Sequence, residues 1–270
     1  MTIQIDSLAY TNRLRSLPPG HKLSFAGLLL IISAVSHPLV QILIAAWMSI
    51  WTVGYAGIPA KTYFKLVYAA IFFWLTSLPA LVINGTDLAH LSLIENDLIG
   101  GLNIGSYYLY ISHHGVIQAG AIFTRAIASL SCLYFIMLTV PFSELLQTLR
   151  NIGCPVLITE ILLLMYRFIF VLLNTANEIW IAQKVRGGYR NFSTSMKSLA
   201  LLIGQLLKRT LENYRQVLLS LKSRGFTGEL QVWNSYRYRQ SSRYSIEAIT
   251  GIIFLIALEW VENGRIFTRV

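Results

Sequence analysis

The feature that most constrains this chain is a set of apolar runs long enough to cross a bilayer. A membrane helix takes about 20 apolar residues, with a range of about 17–25, and residues 39–57, 62–83, 115–140 and 245–261 each fit that length. Residues 23–36 form a shorter run, separated from the next only by His37 and Pro38. Proline suits the first turn of a helix, so the two runs read as a tight helical hairpin and 23–36 as a fifth span. Arg13, Arg15 and Lys22 ahead of it imitate a secretory leader, but the hairpin also accounts for the second run. Of the 270 residues, 55% are hydrophobic and only 13% charged, which sets the chain outside ordinary water-soluble domains. The expectation is an all-α membrane protein with about five transmembrane helices.

Basic residues orient the set, because cytoplasmic segments carry the Lys/Arg excess. Arg13, Arg15 and Lys22 precede the first span, and Lys61 and Lys65 flank the connection between the second and third. The connection 84–114 holds Asp87, Glu95 and Asp97 but no Lys or Arg, so it reads as a long flexible loop on the outside. Residues 141–243 hold 14 of the 22 Lys/Arg against 5 of the 12 Asp/Glu and read as cytoplasmic. Three domains are expected: a membrane bundle of four spans at 1–140, a cytoplasmic module at 141–243, and a final span with a short tail at 244–270.

Residues 156–181 are apolar enough to be a sixth span. Crossing there would put the 12 Lys/Arg between Lys184 and Arg243 outside, against the charge bias. Glu160, Arg167, Asn174 and Glu178 share one helical face, interrupted by Leu164 and Val171, and a central arginine costs about 2.5–3.5 kcal/mol on insertion scales. The segment therefore reads as a long helix at or below the inner face. Residues 196–222 are amphipathic: Leu199, Ile203, Leu206, Tyr214 and Leu221 recur at helical spacing, with Lys197, Lys208, Arg209, Glu212, Arg215 and Lys222 interleaved. Such a helix can lie on anionic lipid or serve as a platform for a soluble partner.

No phosphate-binding loop, H-E-x-x-H helix or G-x-S-x-G elbow occurs, so ATP-driven transport would draw its energy from another subunit. His113 and His114, with Asp87, Glu95 and Asp97, are candidate metal ligands, although adjacent histidines chelate one ion poorly. Arg125, inside the fourth span, is either functional or paired or snorkelling. Cys132 and Cys154 have neither disulfide-scaffold nor zinc-site spacing and read as packing residues. Two Arg-Gly pairs remain, Arg186-Gly187 and Arg224-Gly225, each at the end of a long helix. A cation and a left-handed glycine suit any helix C-terminus, but two such ends 38 residues apart also suit a two-pronged contact.

The sequence resembles the transmembrane T-component of energy-coupling factor (ECF) transporters, in the CbiQ branch of cobalt and nickel systems. The likeness is carried by "IDSLAYTNRLRSLPPGHKL", "ISHHGVIQAGAIFTRA", "VPFSELLQTLRNIGCP", the "YRF" of Tyr166–Phe168 and "LKSRGFTGEL". That family's two Ala-Arg-Gly motifs map onto Val185-Arg186-Gly187 and Ser223-Arg224-Gly225, with valine and serine in place of alanine. The resemblance implies helices near 142–151, 156–186 and 196–224, with Arg186, Gly187, Arg224 and Gly225 docking two ABC-type ATPase subunits. Val185, Ser223, Arg167 and Glu178 would be further contacts of the coupling module.

It also implies a multi-pass cell-membrane subunit that performs no catalysis, holds no cofactor or metal of its own and binds no nucleic acid. Its partners would be the lipid bilayer, the ATPases and a separate substrate-binding membrane subunit that selects the metal. The rival readings are a self-sufficient secondary transporter or channel, which would show broken helices or paired intramembrane charges, and an intramembrane metalloenzyme built on His113 and His114.

Overall fold

The computed structural model describes residues 2–87, 98–104, 107–225, 238 and 241–267. Glu95, Asn96, Asp97 and Ser235 lie outside these. The described residues form α1 (Thr2–Thr11), a 3-10 turn (Arg13–Ser16), α2 (Pro19–Val35), α3 (Pro38–Ile50) continued by a π-helical turn (Trp51–Tyr55), and α4 (Ala60–Val82). Three strands follow, β1 (Ile83–Asp87), β2 (Leu98–Ile104) and β3 (Tyr107–Ser112). The remaining helices are α5 (His113–Thr139), α6 (Phe142–Asn151), α7 (Val156–Val185), α8 (Phe192–Ser223) and α9 (Ser242–Phe267). Met1–Leu145 with Arg237–Val270 make one compact unit and Leu146–Tyr236 a second.

In the first unit α2, α3, α4, α5 and α9 run alternately up and down. At one end of α2, the Lys22 ammonium donates to the Thr139 carbonyl at 3.2 Å; eleven residues on, the hydroxyls of Ser33 and Ser129 are 3.3 Å apart, so α2 and α5 are antiparallel. The Tyr63 hydroxyl ties α4 to Ser49 at 2.8 Å and to Ser131 at 3.3 Å, and the Trp74 indole donates to the Ala119 carbonyl at 3.3 Å. For α9, Tyr244 meets the rings of Trp51 and Tyr55, while Glu259 reaches His37.

Apolar contact with lipid replaces apolar contact with protein at little gain, so such a bundle relies on close packing and internal hydrogen bonds. Ala26, Ala45 and Ala128 let helices approach, while Phe25, Met48, Trp51 and Phe135 fill the centre, with the Phe25 and Trp51 rings 4.9 Å apart. The buried Gln41 is satisfied at both ends. Its amide donates to the carbonyls of Ser33 and Ser36, which α2 leaves open at its C-terminus, and its oxygen accepts from Thr124 at 2.7 Å.

Five helices are long and apolar enough to cross a membrane: Pro38–Tyr55, Ala60–Val82, His113–Thr139, Val156–Val185 and Ser242–Glu262. The all-α membrane class holds. The membership differs from the sequence expectation, because α7 joins the set on length and apolarity and the 17-residue α2 falls short. Length and composition ignore what packs beside each helix, which is where the two differ.

The connection read as a flexible loop is instead largely a sheet of order β1-β3-β2, with both pairings antiparallel. Ile83 stands opposite Ile111, and Ile104 opposite Tyr107. Tyr107, Tyr108, Leu109, Tyr110 and Ile111 are consecutive residues suited to a pleated strand, a signal outweighed by the acidic and glycine residues around them.

Candidate functional site

The helices implied near 142–151, 156–186 and 196–224 are present as α6, α7 and α8. Helix α8 begins four residues earlier, where the Asn191 amide donates to the Thr194 hydroxyl at 3.0 Å. In the second unit α7 and α8 form an antiparallel hairpin. The Gln183 amide donates to the Ser198 carbonyl at 3.0 Å, Glu178 lies 3.5 Å from Arg209, and Leu164, Arg167, Phe168 and Val171 line a groove with Asn213, Gln216 and Val217.

The two Arg-Gly pairs end these helices in the same way. Arg186 has φ −81° and ψ 9°, and Arg224 has φ −94° and ψ 9°. Each is followed by a glycine in the left-handed region, Gly187 at φ 73° and Gly225 at φ 71°. The Gly187 amide donates to the Lys184 carbonyl and the Gly225 amide to the Lys222 carbonyl, both at 3.1 Å. The repeated unit is therefore longer than Arg-Gly: Lys184-Val185-Arg186-Gly187 and Lys222-Ser223-Arg224-Gly225. At the first tip the Gly188 amide also donates to the Gln183 carbonyl at 2.9 Å, completing a Schellman cap.

Gly188 was not singled out by sequence, yet it fixes the first tip. A Cβ there would stand 2.6 Å from the Ser198 hydroxyl oxygen and 2.9 Å from the Gln183 carbonyl oxygen. Ser198 donates to the Gly188 carbonyl at 2.8 Å, and Tyr189 donates to the Gln183 side chain at 2.8 Å. The doubled glycine thus divides two tasks: Gly187 reverses the chain and Gly188 admits α8.

Both tips are open. Arg186, Arg224, Val185 and Ser223 are exposed, Val185 to 82%, and a Cβ on Gly187 or Gly225 would meet nothing within 4 Å. Among the described residues neither guanidinium makes a hydrogen bond or an ion pair, whereas Arg209 pairs with Glu178 and the Lys184 ammonium lies 4.9 Å from the centre of the Trp180 ring. Arg186 and Glu178 border one groove of about 530 Å³ with Gln183, Ser198 and Arg209. Arg167 sits in the other groove, away from both tips. The first tip packs on Ser198, 26 residues before Arg224, so at 1.5 Å per residue α8 sets the two tips about 39 Å apart.

Of the other candidates, Glu95 and Asp97 lie outside the described residues. His113 and His114 are exposed in the first turn of α5, where successive side chains diverge by about 100°. No group of three or more His, Cys, Asp or Glu that could hold a metal occurs among the described residues. Arg125 is exposed on α5 and, among the described residues, pairs with no bundle carboxylate.

A second polar cluster, unforeseen from sequence, lies where α2 begins and α5 ends. Lys22 and the Asn12 amide both donate to the Thr139 carbonyl, one of the open acceptors at the negative end of α5. Lys22 stands one residue before the apolar run of α2 and is only 3% exposed. Burial lowers its pKa to about 8, opposed by the Glu144 carboxylate. Burial in turn raises the pKa of Glu144, while Lys22 and a hydrogen bond from Tyr238 oppose the rise.

A bundle of apolar helices joined to a hairpin with two open cationic ends is a multi-pass membrane protein. Sequence comparison narrows the class, since the CbiQ family model, described as cobalt transport protein, matches residues 11–233 and takes in both tips. The chain belongs to the CbiQ family. It is 28% identical over 231 residues to the cobalt transport protein CbiQ of Salmonella typhimurium, covering 84% of this chain and 99% of that protein. It is 32% identical over 131 residues to the cobalt transport protein CbiQ of Rhodobacter capsulatus, 48% of this chain and 54% of that one. A putative fused cobalt transport protein, CbiMQ, of Methanocorpusculum labreanum is 29% identical over 228 residues, 83% of this chain but 36% of the fused protein.

Proposed function

We propose that this chain is the transmembrane coupling subunit of an ATP-driven ECF-type importer for cobalt or the chemically similar nickel ion. In this reading Arg186 and Arg224 each engage one of two ABC-type ATPase subunits, and the hairpin passes their motion to a separate metal-selecting membrane subunit. The chain itself carries out no catalysis. The observation that carries the reading is the equivalence of the two tips. They share backbone geometry, their guanidiniums have no partner among the described residues, and a long helix separates them enough to reach two proteins. A guanidinium fork suits charge-assisted hydrogen bonds to carboxylate or carbonyl groups. The fused relative, whose name joins a second cobalt transport component to this one in a single polypeptide, fits a membrane partner for this chain.

The packing of α7 favours a cytoplasmic hairpin over a sixth span. It runs beside α8, which carries Lys208, Arg209, Glu212 and Arg215, and placing each such charge in hydrocarbon costs about 2.5–3.5 kcal/mol. A helix paired along its length with such a partner stays out of the membrane core. In this reading the five alternating passes of the first unit run from an N-terminus inside to the end of α9 outside. The reading is tested by co-expressing the tagged chain with a candidate ABC-type ATPase. Two ATPase subunits per chain should co-purify, and liposomes holding this chain alone should not take up cobalt. Uptake by the chain alone would overturn the proposal in favour of a self-sufficient transporter.

A further inference from the structure

The second unit is an insertion in the first: the chain leaves the first unit inside α6, after Leu145, and rejoins it at Arg237. The residues just inside these two crossings reach each other. Glu144, in the first turn of α6, accepts a hydrogen bond from Tyr238, so the exit and the return are tied together within the first unit. Glu144 is only 3% exposed, and the opposite charge acting on it comes from Lys22, buried to the same degree. The Lys22 ammonium in turn holds the Thr139 carbonyl at 3.2 Å, where the Asn12 amide meets it at 3.3 Å while also donating to the Ala9 carbonyl at 2.6 Å. Between Thr139 and α6 stand only Val140 and the fully buried Pro141. The end of α1, the start of α2, the joint of α5 with α6 and residue 238 ahead of α9 thus meet in one polar knot.

Buried opposite charges add little net stability over apolar packing, because desolvation offsets their attraction; where they are useful is in fixing one arrangement among several. Here they fix the place where a whole unit is attached. We propose that Lys22, Glu144 and Tyr238 form a clasp that fastens both ends of the second unit to one point of the bundle, so that displacement of that unit is delivered to α2 and α5. All three are positioning residues. Their part in coupling rests on the function proposed above; the clasp itself does not.

The test compares Tyr238→Phe, which removes one hydroxyl, and Glu144→Gln with the parent and with Arg243→Gln, a control that breaks only the exposed pair with Glu247. In the assembled complex in liposomes, the first two variants should lower the maximal rate of cobalt uptake by about tenfold, with the KM for cobalt and the ATPase affinity within about twofold of the parent. ATP hydrolysis should continue, so that more ATP is consumed per cobalt ion. The double variant should be no worse than the weaker single, within about twofold, because each change opens the same link. Arg243→Gln should behave as the parent. Uptake that is unchanged, that falls only in step with ATP hydrolysis or melting temperature, or that falls multiplicatively in the double variant would overturn the proposal. The chain alone, in nanodiscs, tests the clasp without any transport assay: in Tyr238→Phe the amides of the first turn of α6 should exchange with deuterium about tenfold faster, and in Arg243→Gln at the parent rate. Faster exchange together with no recruitment of an ATPase by the parent would leave the clasp standing and remove the coupling function, whereas unchanged exchange would remove the clasp.

Discussion

The Ser198 hydroxyl donates to the Gly188 carbonyl at 2.8 Å, and its oxygen lies 2.6 Å from where a Cβ on residue 188 would be. One serine therefore both binds the turn that follows α7 and requires that residue 188 have no side chain. Gly188→Ala would push Ser198 or the Gln183 carbonyl aside, an overpacking cost of about 1–3 kcal/mol. Gly187→Ala has open space and suffers only the left-handed backbone, about 1–2 kcal/mol. Both variants should melt earlier than the parent, but only Gly188→Ala should separate α7 from α8. A distance measurement between labels near residues 180 and 205 would widen in Gly188→Ala and stay fixed in Gly187→Ala.

The sidedness of the α7–α8 turn separates a five-pass chain from a six-pass one. In a background without Cys132 and Cys154, Ser193→Cys should react with a membrane-impermeant maleimide from the same side as Lys61→Cys, and Val35→Cys from the other. All three positions are exposed. Labelling of Ser193→Cys together with Val35→Cys would mean that α7 crosses.

How much of this was legible in the letters depended on the range of the interaction. The apolar runs and the Arg-Gly ends are local, and they appear in the fold within a few residues of where periodicity and capping place them. Contacts between distant segments left no trace. His37 and Glu259, 2.8 Å apart, are separated by 222 residues, and nothing in either neighbourhood announces the other. The Lys22, Thr139 and Glu144 cluster is of the same kind. The sheet between α4 and α5 was missed for another reason: its strand signal was present in residues 107–111, but short strands among polar residues read as loop. At the tips, the longer Lys-x-Arg-Gly repeat and the second glycine were both visible, but only packing gave Gly188 its meaning.

Lys22 should make stability depend on pH in an unusual direction. Its ordinary pKa of 10.5 falls to about 8 in the folded chain. Below about pH 8 both states carry the ammonium, and the cost of burying it is present in full. Between about 8 and 10.5 the folded chain has released the proton and the unfolded chain has not, so the unfolded state binds more protons and stability rises with pH. That interval corresponds to at most roughly 3 kcal/mol. Thermal melts in detergent at pH 7.5 and 9.5 should show the parent gaining on a Lys22→Met variant as pH rises. Parallel changes in the two proteins would mean that Lys22 is not buried as a charge.

His113 and His114 should be dispensable for transport by the assembled complex. They are exposed, they diverge from one another on the first turn of α5, and in the proposed arrangement another subunit selects the ion. Cobalt uptake with both changed to alanine should stay within about twofold of the parent, because surface substitutions away from special features change stability by about 0.5 kcal/mol or less. A tenfold loss with normal assembly would restore them as ligands.

The decisive variants are at the tips. If Arg186 and Arg224 only complete helix ends, each alanine replacement removes a favourable dipole interaction of about 0.3–1 kcal/mol and leaves partner binding unchanged. If each is a docking prong, its loss strands a buried partner group and costs about 2–5 kcal/mol of binding, some 30-fold to several thousand-fold in affinity. Arg186→Ala or Arg224→Ala should therefore weaken ATPase association or uncouple ATP hydrolysis from cobalt uptake, and the double variant should abolish the complex. Lysine should rescue poorly, since it keeps the charge but loses the planar fork. Because the tips are about 39 Å apart at 1.5 Å per residue from Ser198 to Arg224, the single variants should also be independent, their losses in binding free energy adding within about 0.5 kcal/mol. Titration of the ATPase onto the chain in nanodiscs would measure this. Wild-type co-purification and uptake in the double alanine variant would leave the two arginines as ordinary helix ends.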